Sequence, residues 1–337
     1  MKVLITGANG FLGVQVVKKV LTLTDYQIRC FMRSTKNITA IESLQKEYPD
    51  RIETIRGSLL NDQNCEAAVE GIDMLYHLAA ATGGAPAEMF LNSSVATDHL
   101  LSAVVATGRK IKVIFCSSFS VYGTAKLPAG ALIDEATPLE DSPLQRDVYS
   151  LTKLHQEQLV KKCYDEQRLP VAVLRPGVIY GPGSAGISGR VGVNLFGIFL
   201  HLGGKNNLPL TYVDNCAEAF VVVSQQSDYQ FDIYNIVDDN LVTSKEFLQR
   251  FKKNVRKIRS FPVNYQVMKF ISWLCEKYFS FSKGQLPEIF TRYKTASIWV
   301  NRNYSNEKLK SIGWNPQIST NEGLMRFFDF VKSKAAE

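Results

Sequence analysis

Tyr149 and Lys153 have the residue types and the spacing of a proton-transferring pair. They stand four positions apart at the start of a predicted helix over 148–158, so their side chains share one helix face. A tyrosine has an ordinary pKa of about 10, which is too high for acid–base chemistry at neutral pH. A nearby ammonium, helped by the positive nicotinamide of an oxidised cofactor, favours the tyrosinate, so we predict a lowered pKa for Tyr149.

A serine-rich segment supplies the partner that this pair needs. Ser117 and Ser118 directly follow a predicted strand over 112–116, and the carboxyl ends of parallel strands border the ligand crevice of an open α/β sheet. A serine hydroxyl at this edge can hold the substrate oxygen that Tyr149 protonates or deprotonates. We therefore predict that Ser118, Tyr149 and Lys153 meet in one site.

The first loop of the chain carries three glycines, Gly7, Gly10 and Gly13, between a predicted strand and a predicted helix. Glycines let the backbone turn tightly and approach a pyrophosphate, whose charge is stabilised by the free N–H groups of the helix N-terminus. Strand, glycine turn and helix in this order predict dinucleotide binding, with a plain tight turn as the alternative.

Arg33 bears on which dinucleotide binds. In such folds an acidic residue about 20 positions beyond the last glycine holds the ribose 2′-hydroxyl of NAD. Here that position is Arg33, and no carboxylate follows until Glu42. A guanidinium there pairs well with a 2′-phosphate, so we favour NADP(H), with NAD(H) as the alternative if Arg33 only stacks on adenine or faces solvent.

These residues need a scaffold, and the first half of the chain alternates short apolar runs with amphipathic stretches. The amphipathic stretches lie near 11–23, 61–70, 86–107 and 147–167. Near-continuous apolar strands between helices predict a doubly wound parallel sheet of Rossmann type, in the α/β class. The strands are predicted at Lys2–Thr6, Gln27–Met32, Arg51–Arg56, Met74–Leu78, Lys112–Cys116 and Val171–Leu174.

The alternation stops near residue 181, which divides the chain into a cofactor-binding domain over 1–180 and a mainly substrate-binding, mostly helical region over 181–337. Within the second region we predict a helix around 191–201. Strands near 208–213 and 234–237 are predicted to return to the main sheet.

The segment 263–281 is rich in aromatic residues and is interrupted by Lys269, Glu276 and Lys277. One interpretation is a helix packed on the substrate region. The other is an apolar surface for peripheral contact with a membrane or for an apolar substrate.

The composition excludes several classes of function. The net charge is +7, but acidic residues are mixed among the basic ones, so we predict no nucleic-acid partner. No apolar run approaches the roughly 20 residues of a membrane span, and no targeting segment precedes the first strand. The six cysteines are scattered and the four histidines are widely spaced, so we expect no disulfide framework, no metal site and a cytoplasmic protein.

The chain resembles the extended short-chain dehydrogenase/reductase superfamily over nearly its whole length. The resemblance implies that Ser118 is the catalytic serine, Tyr149 the acid or base, and Lys153 the ribose-binding cation. It also implies that Asn92 supports the lysine through a water, although a purely structural role for Asn92 in its helix stays open. The matching segments are 7–13 (GANGFLG), 77–81 (HLAAA), 117–123 (SSFSVYG), 149–153 (YSLTK), 175–183 (RPGVIYGPG), 212–220 (YVDNCAEAF) and 312–316 (IGWNP).

Ligand contacts and assembly follow from the same resemblance. A homodimer through helices near 86–107 and 147–167 is expected. Ser58 replaces an aspartate that many relatives place on adenine, so its hydrogen bond to the ring is expected to be weaker. The candidate substrate residues are Thr82, Ser118, Ser120, Tyr149 and Arg190. The candidate cofactor-binding residues are Gly7, Asn9, Gly10, Phe11, Leu12, Gly13, Arg33, Ser34, Lys36, Ser58, Leu59, Ala79, Ala80, Ala81, Ser117, Tyr149, Lys153, Pro176 and Val178.

Two departures from the superfamily's sugar-modifying members narrow the chemistry. Dehydratases of the superfamily resemble one another in carrying an Asp-Glu pair directly before a Val-Tyr-Gly sequence. This chain has Phe119 and Ser120 at those two positions. Many sugar-nucleotide enzymes place a pyrophosphate-binding arginine just before the strand at Tyr212, where this chain has the uncharged run 207–211. This uncharged run looks like the corresponding segment of the 3β-hydroxysteroid dehydrogenase and dihydroflavonol reductase branches, which handle apolar or neutral alcohols and ketones.

We therefore favour an NADP(H)-dependent oxidoreductase that interconverts an alcohol and a ketone. A nucleotide-sugar epimerase or ketoreductase of surface polysaccharide synthesis is the alternative, because Arg190 or another cation could hold a pyrophosphate from a different position. A non-catalytic, cofactor-sensing interaction module is the alternative from another class.

Overall fold

The computed structural model describes residues 1–35, 37–184, 186–195, 197–227, 230–281 and 290–335. Its strands are β1 (Lys2–Thr6), β2 (Gln27–Met32), β3 (Ile52–Arg56), β4 (Met74–His77), β5 (Lys112–Cys116), β6 (Leu132–Ile133), β7 (Val171–Pro176), β8 (Val178–Tyr180), β9 (Gly192–Leu195), β10 (Ile198–His201), β11 (Leu210–Tyr212), β12 (Phe231–Ile236), β13 (Ser260–Pro262) and β14 (Asn303–Tyr304).

The helices surround these strands, and a π-helical turn over Leu91–Val95 joins the fourth helix to the fifth. The helices are α1 (Phe11–Leu23), α2 (Ile38–Glu47), α3 (Asp62–Val69), α4 (Pro86–Phe90), α5 (Ala96–Ala106), α6 (Pro143–Arg146), α7 (Val148–Gln167), α8 (Val213–Ser224), α9 (Ser244–Asn254), α10 (Tyr265–Phe281), α11 (Arg292–Trp299), α12 (Glu307–Lys310) and α13 (Thr320–Lys334).

Seven parallel strands form the main sheet in the order β12-β7-β5-β4-β1-β2-β3. The order reverses direction at β1, as it does in a doubly wound sheet, so the predicted Rossmann-type fold is confirmed. Most residues of β1, β4, β5 and β7 are buried, since helices cover both faces of the sheet.

Each face of the sheet has its own apolar core. On one face Val17 of α1 and Phe220 of α8 pack with the C-terminal Trp314. On the other face Leu100 of α5 and Val160 of α7 pack with residues of α3. Because α8, β12 and Trp314 come from beyond residue 180 yet pack on the main sheet, the two halves of the chain share these cores; the boundary at 180 stays a prediction.

The helix predicted around 191–201 is wrong. This segment forms the antiparallel strands β9 and β10, and β13 extends them to a three-stranded sheet. Gly197 has φ of +83°, outside the helical region, and turns the chain back on itself. A Cβ on Gly192 would lie 2.0 Å from the carbonyl oxygen of Leu200, so glycine permits the close pairing.

One of the two strands predicted to return to the main sheet does not do so. The strand predicted near 234–237 is β12 and pairs with β7, whereas the strand predicted near 208–213 is β11 and pairs with β8 in a separate two-stranded sheet. The chain changes partner at Gly177, whose N–H donates to Ile236 while the next N–H donates to Pro209. A Cβ on Gly177 would lie 2.1 Å from the Pro209 oxygen.

The aromatic segment 263–281 contains α10, which confirms the helical interpretation. Met268 and Ser272 face inward, and α10 packs against α11. Its outward face nevertheless exposes Phe270, Leu274 and Phe281.

Candidate active site

The glycine loop between β1 and α1 has the close geometry that a pyrophosphate requires. Gly7 has φ of +69°, and a Cβ there would lie 3.2 Å from the backbone of Ala79. A Cβ on Gly13 would lie 2.1 Å from the oxygen of Gly7, so only glycine lets α1 begin this close to the loop. Bare backbone and a helix N-terminus thus face one space, which fits a dinucleotide phosphate.

A cavity of about 190 Å³ lies beside this loop and gathers most of the predicted cofactor residues. It extends over the ends of β1, β2 and β4, as expected for a ligand crevice at the carboxyl edge. Phe31, Leu60 and Ala96 also line it, and sequence reasoning missed them. The predicted residues that it brings together are Gly7, Asn9, Gly10, Arg33, Ser34, Ser58, Leu59, Ala79, Ala80, Ala81 and Asn92.

Arg33 and Asn92 meet at the rim of this cofactor cavity. The exposed guanidinium of Arg33 donates to the side-chain oxygen of Asn92, and the Asn92 amide donates to the carbonyl of Glu88 at 2.8 Å. Nearby, the Asn9 side chain donates to the carbonyl of Ser34 at 2.8 Å. Asn92 therefore lies with the cofactor residues, and its catalytic role through a water stays a prediction.

Some predicted cofactor residues do not line the cavity. Phe11, Leu12 and Gly13 form the first turn of α1, so their backbone and not their side chains could serve a phosphate. Pro176 is the last residue of β7. Lys36 lies outside the described residues.

Ser117 does not line the cofactor cavity, and its predicted contact with the cofactor stays a prediction. Its hydroxyl is buried and donates to the Glu157 carboxylate, which also receives Arg175 Nε at 2.9 Å and Nη2 at 2.6 Å. Successive residues of an extended segment point to opposite sides, so Ser117 points into this buried cluster while Ser118 points toward the other side.

A second, larger cavity of about 690 Å³ contains the candidate substrate residues, and we call it the substrate pocket. Ala81 lines the cofactor cavity and Thr82 lines the substrate pocket, so the two spaces adjoin. Val178, predicted to contact the cofactor, lines this pocket instead. The residues predicted for the substrate that line it are Thr82, Ser118, Ser120, Tyr149 and Arg190.

Ser118 and Tyr149 lie together at the wall of the substrate pocket, where burial raises the pKa of Tyr149 and the Ser118 side chain acts to lower it. Ser118 follows the end of β5 and caps the short turn Phe119–Val121 by accepting from the Ser120 N–H at 3.1 Å. Tyr149 is in the first turn of α7, which Asp147 caps through the Ser150 N–H at 2.7 Å. Capping of both turns fixes the two hydroxyls relative to each other.

The pKa of Tyr149 is not lowered in the protein without cofactor, and its lowering with an oxidised nicotinamide bound stays a prediction. Burial, reinforced by the neighbouring Cys116, raises the pKa of Tyr149 above its ordinary value, and the Ser118 side chain offsets this only in part. The ammonium of Lys153 points to the carbonyl of Cys116, 2.7 Å away. Tyr149 is therefore protonated at neutral pH, the state that a proton donor needs.

Lys153 is buried at the centre of the site. Its ammonium lies 5.0 Å from the ring centroid of Phe115, and burial lowers its pKa from the ordinary value. It is one helical turn from Tyr149 on α7, so the predicted sharing of one helix face is confirmed.

A buried polar chain behind the site joins four elements. Thr97 donates to the Ser93 carbonyl at 2.7 Å and accepts from Gln156 Nε2 at 2.7 Å. Because the Thr97 hydrogen is used in the bond to Ser93, the Thr97 oxygen must accept from His77 Nε2, 2.8 Å away, and the imidazole hydrogen is therefore on Nε2. The other ring nitrogen, Nδ1, accepts from the Thr6 hydroxyl, also at 2.8 Å. Burial lowers the pKa of His77 to about 3, so the ring is neutral.

Sequence reasoning missed the far side of the substrate pocket. Arg146 was not predicted to be a site residue, although it is the last residue of α6 and lies three positions before Tyr149. Lys294 lies on α11, far along the chain, and carries no local motif. The further lining residues are Phe119, Asp147, Gly177, Ser188, Gly189, Val193, Leu195, Pro209, Phe290, Ile298 and Trp299.

Within the described part of the chain, no group of three or more His, Cys, Asp or Glu side chains is arranged to hold a metal ion. None of the described helices is both long enough and apolar enough to cross a membrane.

Comparisons with known proteins agree with this geometry. The model of the NAD dependent epimerase/dehydratase family matches residues 3–236. A 2-alkyl-3-oxoalkanoate reductase of Stenotrophomonas maltophilia is 28% identical, over 97% of this chain and 98% of the relative. A decarboxylating sterol-4-alpha-carboxylate 3-dehydrogenase of Candida albicans is 29% identical, over 66% of this chain and 64% of the relative.

Solved structures share the fold over almost the whole chain. The crystal structure of gox2253 superposes with a TM-score of 0.79 at 21% identity and covers 98% of each chain. The UDP-glucuronic acid 4-epimerase of Bacillus cereus in complex with NAD superposes with a TM-score of 0.72 at 21% identity, over 99% of this chain and 97% of the other. At this identity the likeness shows the fold alone.

Proposed function

The chain belongs to the NAD dependent epimerase/dehydratase family, and within it we propose that it is an NADP(H)-dependent oxidoreductase that interconverts an apolar ketone and the corresponding alcohol. The observation that carries this proposal is that Ser118 and Tyr149 lie together at the wall of the substrate pocket, which adjoins the cofactor cavity. Family membership supports an enzymatic, nicotinamide-dependent activity. The named roles and the substrate are our inference.

Each side chain of the site has a distinct task in this proposal. A bound NADP(H) supplies or accepts the hydride. Ser118 holds the carbonyl oxygen by a hydrogen bond, and Tyr149, protonated at neutral pH, gives that oxygen its proton. Lys153, one helical turn after Tyr149 on α7, supplies the positive charge that would stabilise the tyrosinate left after proton transfer. In the direction of alcohol oxidation the same tyrosinate removes the proton.

The preference for NADP(H) rests on Arg33 and Ser34 at the rim of the cofactor cavity. The exposed guanidinium of Arg33 is where a 2′-phosphate would be recognised. Its present partner, Asn92, is neutral, so a phosphate would give Arg33 an ion pair that Asn92 does not supply. The neighbouring solved epimerase binds NAD, which makes the comparison of both cofactors the necessary measurement.

The apolar character of the proposed substrate rests on the walls of the pocket. Val193, Leu195, Phe290 and Trp299 line it. Pro209, which also lines it, belongs to the uncharged run 207–211, the region where many sugar-nucleotide enzymes place an arginine. The buried hydroxyl of Ser120 has no hydrogen-bond partner among the described residues, so it is suited to a second polar group of the substrate. The relative from S. maltophilia is named for reduction of an alkyl-substituted oxo acid, which agrees with an apolar ketone as the proposed substrate of this chain.

The second candidate function is a nucleotide-sugar epimerase or ketoreductase, which the cationic Arg190 in the substrate pocket favours. An epimerase retains its cofactor and shows no net turnover of it. The test is NADPH consumption by the purified protein with a panel of apolar ketones, alongside UDP- and GDP-sugars. Rapid consumption of NADPH with ketones and none with the sugars supports the oxidoreductase assignment. Formation of an epimerised sugar without NADPH consumption overturns that assignment.

A further inference from the structure

The substrate pocket has a marked excess of positive charge. Of the described residues that line it, Arg146, Arg190 and Lys294 are cationic and Asp147 alone is anionic. A pocket for a neutral ketone needs no such excess, and unpaired charge in a half-buried space is costly unless a ligand compensates it. The excess positive charge of the pocket therefore requires an explanation other than the binding of a neutral ketone.

Arg146 is already compensated by the protein. It is buried, donates to the carbonyl of Tyr122 at 2.8 Å, and lies 3.8 Å from Glu140 and 4.0 Å from Asp147. These two carboxylates balance its charge. Asp147 is thereby used twice, since it also caps α7.

Arg190 and Lys294 are not compensated in this way. Neither the guanidinium of Arg190 nor the ammonium of Lys294 has a hydrogen-bond or ion-pair partner among the described residues, and both side chains are half-buried. Arg190 is close enough for its charge to lower the pKa of Arg146, after the larger effect of burial. Arg190 thus adds to a positive potential that an anionic ligand would neutralise.

We propose that Arg190 and Lys294 form an anion subsite, and that the substrate is an apolar oxo or hydroxy acid whose carboxylate binds there. This assignment rests on the proposed function, because it places the carboxylate in the same pocket as the reacting carbonyl. Apolar walls formed by Val193, Phe290 and Ile298 take the hydrocarbon part. The ligand is therefore an amphiphile with one charged end.

Both an organic acid and a phosphate ester could supply the anion. The apolar wall favours the acid, because a nucleotide sugar would place its hydroxyl-rich ring against residues such as Val193 and Leu195 without hydrogen-bond partners. The two sources are separable by direct binding measurements.

The experiment measures binding to the protein without cofactor, by isothermal titration calorimetry. The ligands are 3-hydroxydecanoate, its methyl ester, and UDP. The variants are Arg190→Gln and Lys294→Gln, and the matched controls are Arg256→Gln and Lys253→Gln, two exposed residues outside the pocket. Each control removes the same charge from the whole molecule without touching the subsite.

We expect the acid to bind at least about 10-fold more tightly than the ester, because only the acid has a carboxylate that can accept a charge-assisted hydrogen bond. Arg190→Gln and Lys294→Gln should each weaken the acid about 10-fold and leave the ester unchanged, while both controls bind like the parent protein. Equal binding of acid and ester, or equal weakening of both in the variants, overturns the proposal. Tighter binding of UDP that is lost in the same variants also overturns it, in favour of a phosphate subsite.

Failure of the proposed function has a different signature. If the acid binds selectively and depends on Arg190 but is neither reduced nor oxidised with any nicotinamide cofactor, the anion subsite stands and the oxidoreductase assignment falls. If ketones are turned over at equal rates with and without a carboxylate, the oxidoreductase stands and the subsite falls.

Discussion

Lys153 donates a hydrogen bond of 2.7 Å to the carbonyl of Cys116, the last residue of β5. This bond ties α7 to the strand end from which Ser118 follows two residues later. Tyr149, one turn earlier on the same helix, is thereby held against Ser118 before any ligand arrives. The lysine thus has a positioning task in addition to its charge, because one side chain joins the two elements of the site.

Removal of the Tyr149 hydroxyl tests the proton-donor role. Tyr149→Phe keeps the ring and deletes the proton, so kcat should fall about 10²- to 10⁴-fold, the usual worth of a general acid. NADPH affinity, measured by fluorescence titration, should stay within about 2-fold of the parent value, since the cofactor cavity is untouched. Tyr278→Phe is the matched control, because that tyrosine is exposed on α10. Turnover by Tyr149→Phe at the parent rate would refute the assignment.

The parts of the site that sequence predicted are those built from neighbours in the chain. The glycine loop and the pair Tyr149–Lys153 are local patterns, and local hydrogen bonding and helix geometry decide where such residues point. The inner strands of the main sheet were also readable, because strands buried on both faces are almost uniformly apolar. The site's core therefore followed from the sequence.

The parts that sequence did not predict depend on distant contacts. Lys294 and Phe290 reach the pocket through the packing of α10 and α11, which no local pattern encodes. The run 191–201 is apolar enough for a helix, and only its glycines at 192 and 197 mark a hairpin. Ser117 and Ser118 are equivalent by type, and the direction of each side chain became clear only from the buried pair Glu157–Arg175.

The cofactor preference can be tested at Arg33. Arg33→Gln removes the charge that a 2′-phosphate would meet, so the affinity for NADPH should weaken about 10- to 100-fold, the worth of a charge-assisted hydrogen bond. The affinity for NADH should change less than about 2-fold. Titration of both cofactors by tryptophan fluorescence is the measurement, with Arg256→Gln as the exposed control. Equal weakening of both cofactors would mean that Arg33 contacts the shared part of the dinucleotide.

A methyl group at Gly13 should disrupt the phosphate-binding loop. A Cβ there would lie 2.1 Å from the oxygen of Gly7 and 2.7 Å from that of Ala8, so the loop or α1 must shift. We expect Gly13→Ala to cost about 1–3 kcal/mol in urea unfolding and to weaken NADPH binding as well. Gly83→Ala is the control, since nothing lies within 4 Å of its added Cβ. A Gly13→Ala protein with parent stability would contradict this account.

The buried pair Glu157–Arg175 should contribute far more than a surface pair on the same helix. Burial alone would lower the pKa of Arg175, but the two hydrogen bonds that Arg175 donates to the Glu157 carboxylate reverse this and raise it. Glu157→Gln leaves a buried guanidinium uncompensated, which costs about 3–5 kcal/mol of unfolding free energy. Asp165→Asn breaks the half-exposed pair with Lys161 on α7 and should cost about 0.5 kcal/mol or less. Similar losses for both variants would show that Arg175 finds another partner.

His77 should make the folded state sensitive to acid. Its pKa is about 3 in the folded protein, below the ordinary value of 6.5, first because of burial and then because of Lys153. The unfolded chain therefore binds the proton more readily, so this contribution to stability is complete above about pH 6.5 and is lost as the pH falls toward 3. Over that window the loss approaches about 1.4 kcal/mol for each pH unit.

The variant His77→Gln isolates this effect. A glutamine amide has one acceptor for the Thr6 hydroxyl and one donor for Thr97, the two bonds that the neutral ring makes, but it does not titrate. Urea unfolding between pH 7 and pH 4 should therefore show a smaller loss of stability in the variant than in the parent protein, whatever the variant's stability at pH 7. Parallel pH profiles would mean that the ring is protonated in the fold without penalty, and the assignment of a neutral ring with its hydrogen on Nε2 would then be wrong.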